Sequence, residues 1–224
     1  MFMYKNLIFD LDGTLLDTLV DIRAAINLAL KQCGYDYSFS LKESRTLIGN
    51  GSDMLVKRAL KDKGDDEIAF KQLREAYLPL YKEKQNEHCK PFNGLKECLN
   101  FLEERGCSLY VCTNKPDELA NIIVKAHFGK TLFKDIIGNG RNFPVKPDPS
   151  IVNYLINKHD LEKEETIFIG DSNVDVETAR NAKLKSILVT WGYGNYKPSL
   201  LEEADFVANK PKQIVQYVMG KEGW

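Results

Sequence analysis

Four short apolar runs punctuate the chain: Leu7-Ile8-Phe9, Leu109-Tyr110-Val111-Cys112, Ile167-Phe168-Ile169 and Ile187-Leu188-Val189. Runs of this length without polar alternation read as strands buried on both faces, the habit of parallel sheets. Between them, stretches around 94–105, 117–127, 149–159 and 174–182 have apolar positions three or four apart, which predicts helices. Strand, helix, strand, repeated in this way, predicts an α/β fold with a doubly wound parallel sheet. Two helix starts are signalled by Asp148-Pro149, a cap and a first-turn proline, and by Pro116-Asp117-Glu118, a proline followed by acids.

Residues 17–87 break the alternation. Helical periodicity recurs there (Ile22, Ile26, Leu30; Leu55, Ala59; Phe70, Leu73, Tyr77) and no convincing strand does. This predicts an inserted helical domain, 17–87, within a core made of 1–16 and 88–224. The crossings are the turn around Gly13 to Leu16 and the polar link Asn86 to Pro91, two segments able to act as hinges. Pro79 is expected to kink its helix or end a turn.

Composition narrows the function classes. With 224 residues, 43% of them hydrophobic, the chain can bury a substantial core. Lys plus Arg, 31, nearly cancels Asp plus Glu, 32, so no strong field favours nucleic acid or an anionic membrane, and a small-molecule substrate is expected. The cysteines (Cys33, Cys89, Cys98, Cys107, Cys112) are odd in number and contain no C-x-x-C pair, so they are read as reduced and mostly buried. No signal-peptide pattern and no bilayer-spanning run is found, and a cytoplasmic location is expected. Asn50-Gly51-Ser52 matches a glycosylation sequon that such a location makes irrelevant.

The strand ends carry the candidate chemistry. "FDLDGTLLDT" places Asp10 and Asp12 two residues apart, on one side if strand geometry persists. Such close carboxylates repel unless a positive group intervenes. Thr113-Asn114 follows the second run and offers a hydroxyl and amides to a phosphoryl oxygen. Gly170-Asp171-Ser172-Asn173-Val174-Asp175 follows the third and adds two carboxylates, while prolines restrict the backbone around Lys146 in Val145-Lys146-Pro147-Asp148-Pro149. Ligands in open α/β sheets bind beyond the carboxyl ends of the strands, where all these groups fall. An all-oxygen donor set suits a hard cation, Mg²⁺. With the charge so neutralised, Asp10 can attack phosphorus, Lys146 can offset the charge, and Asp12 can protonate the leaving oxygen.

Asp10-Leu11-Asp12-Gly13-Thr14, Thr113-Asn114, Lys146 and Gly170-Asp171…Asp175, in that order, resemble the haloacid dehalogenase-like phosphohydrolases over nearly the whole chain. The resemblance implies a Rossmann-like core and an aspartyl-phosphate on Asp10, with Asp12 as acid and then base. It also implies Mg²⁺ held by Asp10, the Asp12 carbonyl and Asp171, with Asp175 in support. The insertion resembles the family's cap, and Asp12 argues against a dehalogenase. "DLDGTLLDTLVDIRAAINLAL", "IGNGSDMLVKRAL", "VCTNKP" and "GDSNVDVETARNA" are similar to the phosphoglycolate phosphatase branch. This implies a phosphomonoesterase acting on 2-phosphoglycolate, with pyrophosphate, nucleoside monophosphates and sugar phosphates as alternatives and a phospho-receiver as a different class. Monomer and homodimer are both open. Gly49, Asn50 and Gly51, just before a helix, together with Arg45, are expected to help read the substrate's carboxylate; a plain helix cap is the alternative. The chain departs from the branch at Thr18 and in the short Gly138–Val145 segment with its Arg141. Sugar-phosphate mutases of the family carry a cap histidine where Ile22 lies and a cap arginine near Ser52, so mutase activity is not expected.

Other motifs are set aside. Gly49-x-Gly51 and Gly138-x-Gly140 lack a third glycine, and no phosphate-binding G-x-x-x-x-G-K-[ST] occurs. His88, His127 and His159 lack metal-ligand spacing and are read as surface or hinge residues. Trp191-Gly192-Tyr193-Gly194 is read as a turn with packed aromatics rather than a flank of the site. Lys82 and Lys84 are read as a solvated helix face.

Overall fold

The computed structural model describes residues 4–220. In chain order its elements are β1 (Asn6–Phe9), β2 (Leu16–Asp17), α1 (Leu19–Gln32), α2 (Leu41–Ser44), α3 (Gly51–Ala59), α4 (Glu67–Lys84), β3 (Lys90–Pro91), α5 (Leu95–Glu104), β4 (Ser108–Pro116), α6 (Asp117–Phe128), β5 (Phe133–Asn139), α7 (Ser150–Lys158), β6 (Thr166–Gly170), α8 (Asn173–Ala182), β7 (Lys185–Val189), α9 (Pro198–Glu203), β8 (Phe206–Ala208) and α10 (Pro211–Val218). The main sheet has the order β5-β4-β1-β6-β7-β8, and every pairing is parallel.

The apolar run in β1 explains its central place. Leu7 and Phe9 point into a core shared with α5, α6 and α10, while Ile8 between them points into a second core shared with α7 and α8. A strand with helices on both faces needs apolar side chains at successive positions, which is why the run does not alternate. All four sequence-read strands lie in this sheet. Two more escaped notice: β5, whose Lys134 and Asp135 interrupt the apolar pattern, and β8, three residues long at an edge. Helices α9 and α10 were likewise not read from the pattern.

Helices α1, α3 and α4 enclose a separate core built on Ile22, Ile26, Leu55, Leu73, Tyr77 and Tyr81. Helix α4 runs through Pro79 to Lys84 instead of ending there. Pro79 and Glu75, whose carbonyl loses its partner, are both exposed, so water can take that bond. The two chain crossings pair with each other, since β2 and β3 form an antiparallel ladder matching Leu16 with Pro91 and Asp17 with Lys90. The expected boundary after residue 16 thus falls inside β2. Just beyond, the buried Asp21 accepts the backbone N–H of His88 at 3.0 Å and of Cys89 at 2.9 Å, and meets His88 Nδ1 at 2.9 Å. Among the described residues no helix is long and apolar enough to cross a membrane.

Asp21 thus ties the helical insertion to the returning chain. Asp21→Ala leaves the N–H groups of His88 and Cys89 without their acceptor, and urea unfolding is expected to register a loss of about 3 kcal/mol.

Candidate active site

Strand geometry ends at Phe9, one residue before the first aspartate. Asp10 is held there by its N–H, which donates to Ile169 O at 2.8 Å. The chain then turns tightly, with the N–H groups of Thr14, Leu15 and Leu16 all directed at Leu11 O, at 3.2, 2.9 and 3.1 Å. Asp10 and Asp12 therefore share a site through a turn and not through the strand pleat: both line the same cavity. Gly13, at φ 91°, makes this turn possible, and a Cβ there would collide with the Asp171 carboxylate.

Lys146 lies between β5 and α7, and its peptide bond to Pro147 is cis. Asn114 grips its backbone from both sides, accepting Lys146 N–H at 2.7 Å and donating to Lys146 O at 3.1 Å. The buried ammonium reaches Asp10 Oδ1 at 2.8 Å and Asp175 Oδ1 at 2.6 Å. The Asn114 side chain also donates to Gly49 O at 3.3 Å. Both kinds of side-chain group on Asn114 are thus engaged within the protein. Thr113 faces the cavity, and its oxygen accepts Lys115 N–H at 3.2 Å.

Asp171 accepts the Thr14 hydroxyl at 3.2 Å and Tyr193 N–H at 2.6 Å. Asp175 closes a capping box at the start of α8, accepting Ser172 N–H at 3.1 Å and its hydroxyl at 2.7 Å. Asp10, Asp171 and Asp175 each bring a carboxylate oxygen within 4.8 Å of the others. Gly170 and Gly192 allow this crowding, because a Cβ at either would overlap Asp175 or Asp171. Burial pushes Asp10 up to about 6, with Lys146 opposing and Asp175 and Asp12 reinforcing the rise. Burial also raises Asp171 well above the carboxylate range, and Asp175 and Asp10 add to it. The Lys146 ammonium is disfavoured by burial, yet Asp10 and Asp175 outweigh that and hold its pKa above the lysine range. Three carboxylates against one ammonium leave this site short of positive charge. Its donors are all oxygen, so the residues fit a hard divalent cation.

The insertion closes over these groups. Gly51, at φ 84°, opens α3 so near the core that a Cβ would lie 3.2 Å from Asn114 O. Asn50 Oδ1 accepts from Arg58 at 2.5 Å, and the same guanidinium donates to Leu47 O and Ile48 O at 3.1 and 3.2 Å. A small cavity of about 50 Å³ lies under the helices, bounded by Asp10, Asp12, Thr113, Ile22, Leu55 and Tyr77 among others. A wider cleft of about 380 Å³ opens beside Asp171, and Arg45, Asn50 and Arg58 line its outer wall.

Residues 7–189 match the family model of the haloacid dehalogenase-like hydrolases. The chain belongs to that family. The hydrolase is 33% identical over 222 residues to a phosphoglycolate phosphatase of Vibrio vulnificus, covering 96% of each chain. It is also 33% identical over 217 residues to one from Aliivibrio fischeri, covering 94% of this chain and 95% of that one. A solved structure described as a predicted phosphoglycolate phosphatase from Haemophilus somnus aligns with TM-score 0.89 and 30% identity, over 96% of this chain and 98% of the other. With the doubly wound sheet, these relatives make the hydrolase a phosphoric monoester hydrolase.

Several groups of the hydrolase's site were not found by sequence reasoning. Lys115, directly after the Thr113-Asn114 pair, buries its ammonium 3.2 Å from Asp12 Oδ1 and against the Tyr81 hydroxyl. The turn at Trp191–Gly194 does flank the site, against expectation. Tyr193 holds Asp171 with its N–H, while its hydroxyl donates to Asp17 at 2.8 Å and accepts from Thr18 and Leu19 N–H at 2.6 and 3.0 Å. The strand ending at Val189 was the available signal, since loops after such strands converge on the same edge. The histidines have other partners: His88 meets Asp21, His127 meets Asn86 at 2.7 Å and His159 meets Asp135 at 3.1 Å. Lys82 and Lys84 pair with Glu118 and Glu87 in exposed bridges. All five cysteines are free.

Because the Asp10 pKa rises from 3.8 to about 6 on folding, the folded state holds a proton there when the unfolded chain does not. Its contribution to stability is therefore greatest below about pH 4 and falls as the pH rises through about 6. In chelator, the melting temperature of Asp10→Asn relative to wild type is expected to shift upward between about pH 4.5 and pH 7. A relative shift in the opposite direction contradicts this electrostatic reading.

Proposed function

We propose that the hydrolase is a Mg²⁺-dependent phosphatase that cleaves 2-phosphoglycolate through a phosphorylated Asp10. One observation carries the reading: Asp10, within a cluster of three carboxylates, stands 2.8 Å from a buried ammonium and lines a small cavity that Asp12 also lines. Residues 17–87 serve as the cap, and Asp10, Asp171 and the Asp12 carbonyl would hold the metal, with Asp175 behind them. Bound there, Mg²⁺ would supply the missing positive charge and polarise the phosphoryl oxygens.

The chain's own groups account for the proton and bond changes. An Asp10 oxygen attacks phosphorus, the ester P–O bond breaks, and Asp12 gives its proton to the departing glycolate oxygen. Asp12 then takes a proton from water as that water attacks phosphorus, and the bond to Asp10 breaks to release inorganic phosphate. Lys146 balances charge on Asp10 and the phosphoryl group, and the Thr113 hydroxyl is suited to donate to one phosphoryl oxygen.

Cavity size supports a short leaving group. About 50 Å³ has room for roughly four water-sized groups. Its cap-side walls include Ile22, Ile48, Leu55, Tyr77 and Tyr81, a mainly apolar surface that suits a short leaving group. Arg45, exposed at the mouth of the wider cleft, is suited to attracting the dianion rather than sorting it. The enclosed acid at Asp12 favours turnover over a receiver's stored phospho-aspartate. Five free cysteines support a reducing, cytoplasmic setting.

Across 2-phosphoglycolate, pyrophosphate, nucleoside monophosphates and sugar phosphates, kcat/KM is expected to favour 2-phosphoglycolate by at least about a hundredfold, roughly 2.7 kcal/mol. A flat profile rejects the substrate while leaving the chemistry. Asp10→Asn is expected to lower kcat/KM by at least about a thousandfold with the fold intact by circular dichroism. Chelator should abolish turnover and Mg²⁺ restore it, and Asp171→Asn is expected to raise the Mg²⁺ needed for half-maximal thermal stabilisation by about tenfold or more.

A further inference from the structure

Lys115 has no part in the chemistry described so far. It sits near the end of β4, two residues beyond Thr113, and both line the small cavity. Among the described residues lining that cavity, Lys115 is the one cation. Its side chain is 1% exposed. The ammonium has three N–H donors, of which Asp12 Oδ1 at 3.2 Å and the Tyr81 hydroxyl engage two. That leaves one donor for a ligand's acceptor.

We infer that Lys115 is the residue that selects the substrate, receiving a carboxylate carried by the leaving group. The inference rests on the reading of the hydrolase as a phosphatase of a short acidic ester, and it names the group that recognises the acid. Geometry sets the distance between the two recognised atoms. The leaving oxygen must approach Asp12, and the ammonium lies 3.2 Å from that carboxylate. The ester oxygen and the negative end of the leaving group therefore lie within a few ångströms of each other. A leaving group with one methylene between oxygen and carboxylate satisfies this, whereas a sugar or nucleoside offers no anion so close. The remaining cap wall strengthens the preference, because an ammonium among Ile22, Leu55 and stacked Tyr77 and Tyr81 meets little competing solvent. Tyr81 belongs to α4 of the cap, so the ammonium is enclosed only while the cap rests on the core.

Ethyl phosphate is the matched probe, since it replaces the carboxylate of 2-phosphoglycolate with a methyl group. With Mg²⁺ present, wild type and Lys115→Gln are compared on both esters. The variant is expected to lose at least about a hundredfold in kcat/KM on 2-phosphoglycolate, mainly through KM, and less than about tenfold on ethyl phosphate. A variant that keeps the wild-type preference, or loses equally on both esters, overturns the role of Lys115 while the substrate reading stands. A wild type that treats both esters alike overturns the substrate reading and this inference with it. If Lys115→Gln melts below the assay temperature, wild type decides the matter by inhibition of ethyl phosphate turnover. Glycolate is then expected to inhibit at least about tenfold more tightly than glycolamide, and equal inhibition overturns the proposal.

Discussion

The contact between the Lys146 ammonium and the carboxylates of Asp10 and Asp175 is what the rest of the site is arranged around. Three acids drawn together in a buried space repel, and one ammonium only partly relieves them. The surrounding chain spends much of its local structure on holding that arrangement. Asn114 clamps the backbone of Lys146, Ser172 and the start of α8 orient Asp175, and Thr14 and Tyr193 fix Asp171. Glycines stand at 13, 170 and 192 because a side chain at any of them would occupy carboxylate space. A charge deficit held so firmly, among oxygen donors alone, fits a divalent cation.

The helical insertion enters the same network at several points. Gly49 and Gly51 rest on Asn114, the residue that positions Lys146, and Tyr81 rests on Lys115, the residue beside Asp12. Where the chain first crosses, Tyr193 bonds Asp171 through its backbone and the β2–α1 junction through its hydroxyl, so one residue spans the acid cluster and the crossing. Asp21 braces the other crossing. Packing of the insertion on the core and ordering of the site therefore depend on overlapping sets of contacts.

How much of this was readable before the fold was known depended on whether a signal was local. Continuous apolar runs marked β1, β4, β6 and β7, because a strand covered on both faces needs apolar residues at successive positions. Edge strand β5, with Lys134 and Asp135 within it, and short β8 lacked that signature. Pro79 carried a breaker signal that an exposed Glu75 carbonyl made harmless. Asp10, Asp12, Thr113, Asp171 and Asp175 stood out because they come just after apolar runs, and Lys146 because prolines restrict the backbone around it; the fold brings them together.

Partner choice was a different matter. The partners of the Asn114 side chain, Lys146 and Gly49, lie far from it along the chain. Lys115 and Tyr193 carry no motif of their own, and their importance comes from Asp12, Tyr81, Asp171 and Asp17, residues far from them along the chain. The sequence by itself determined the fold class, the helical insertion and which strand ends carry charge, since those follow from periodicity and from short-range order along the chain. Only the tertiary structure decided which polar groups are satisfied by the protein and which face the cavity. That division depends on long-range contacts, which no local pattern encodes.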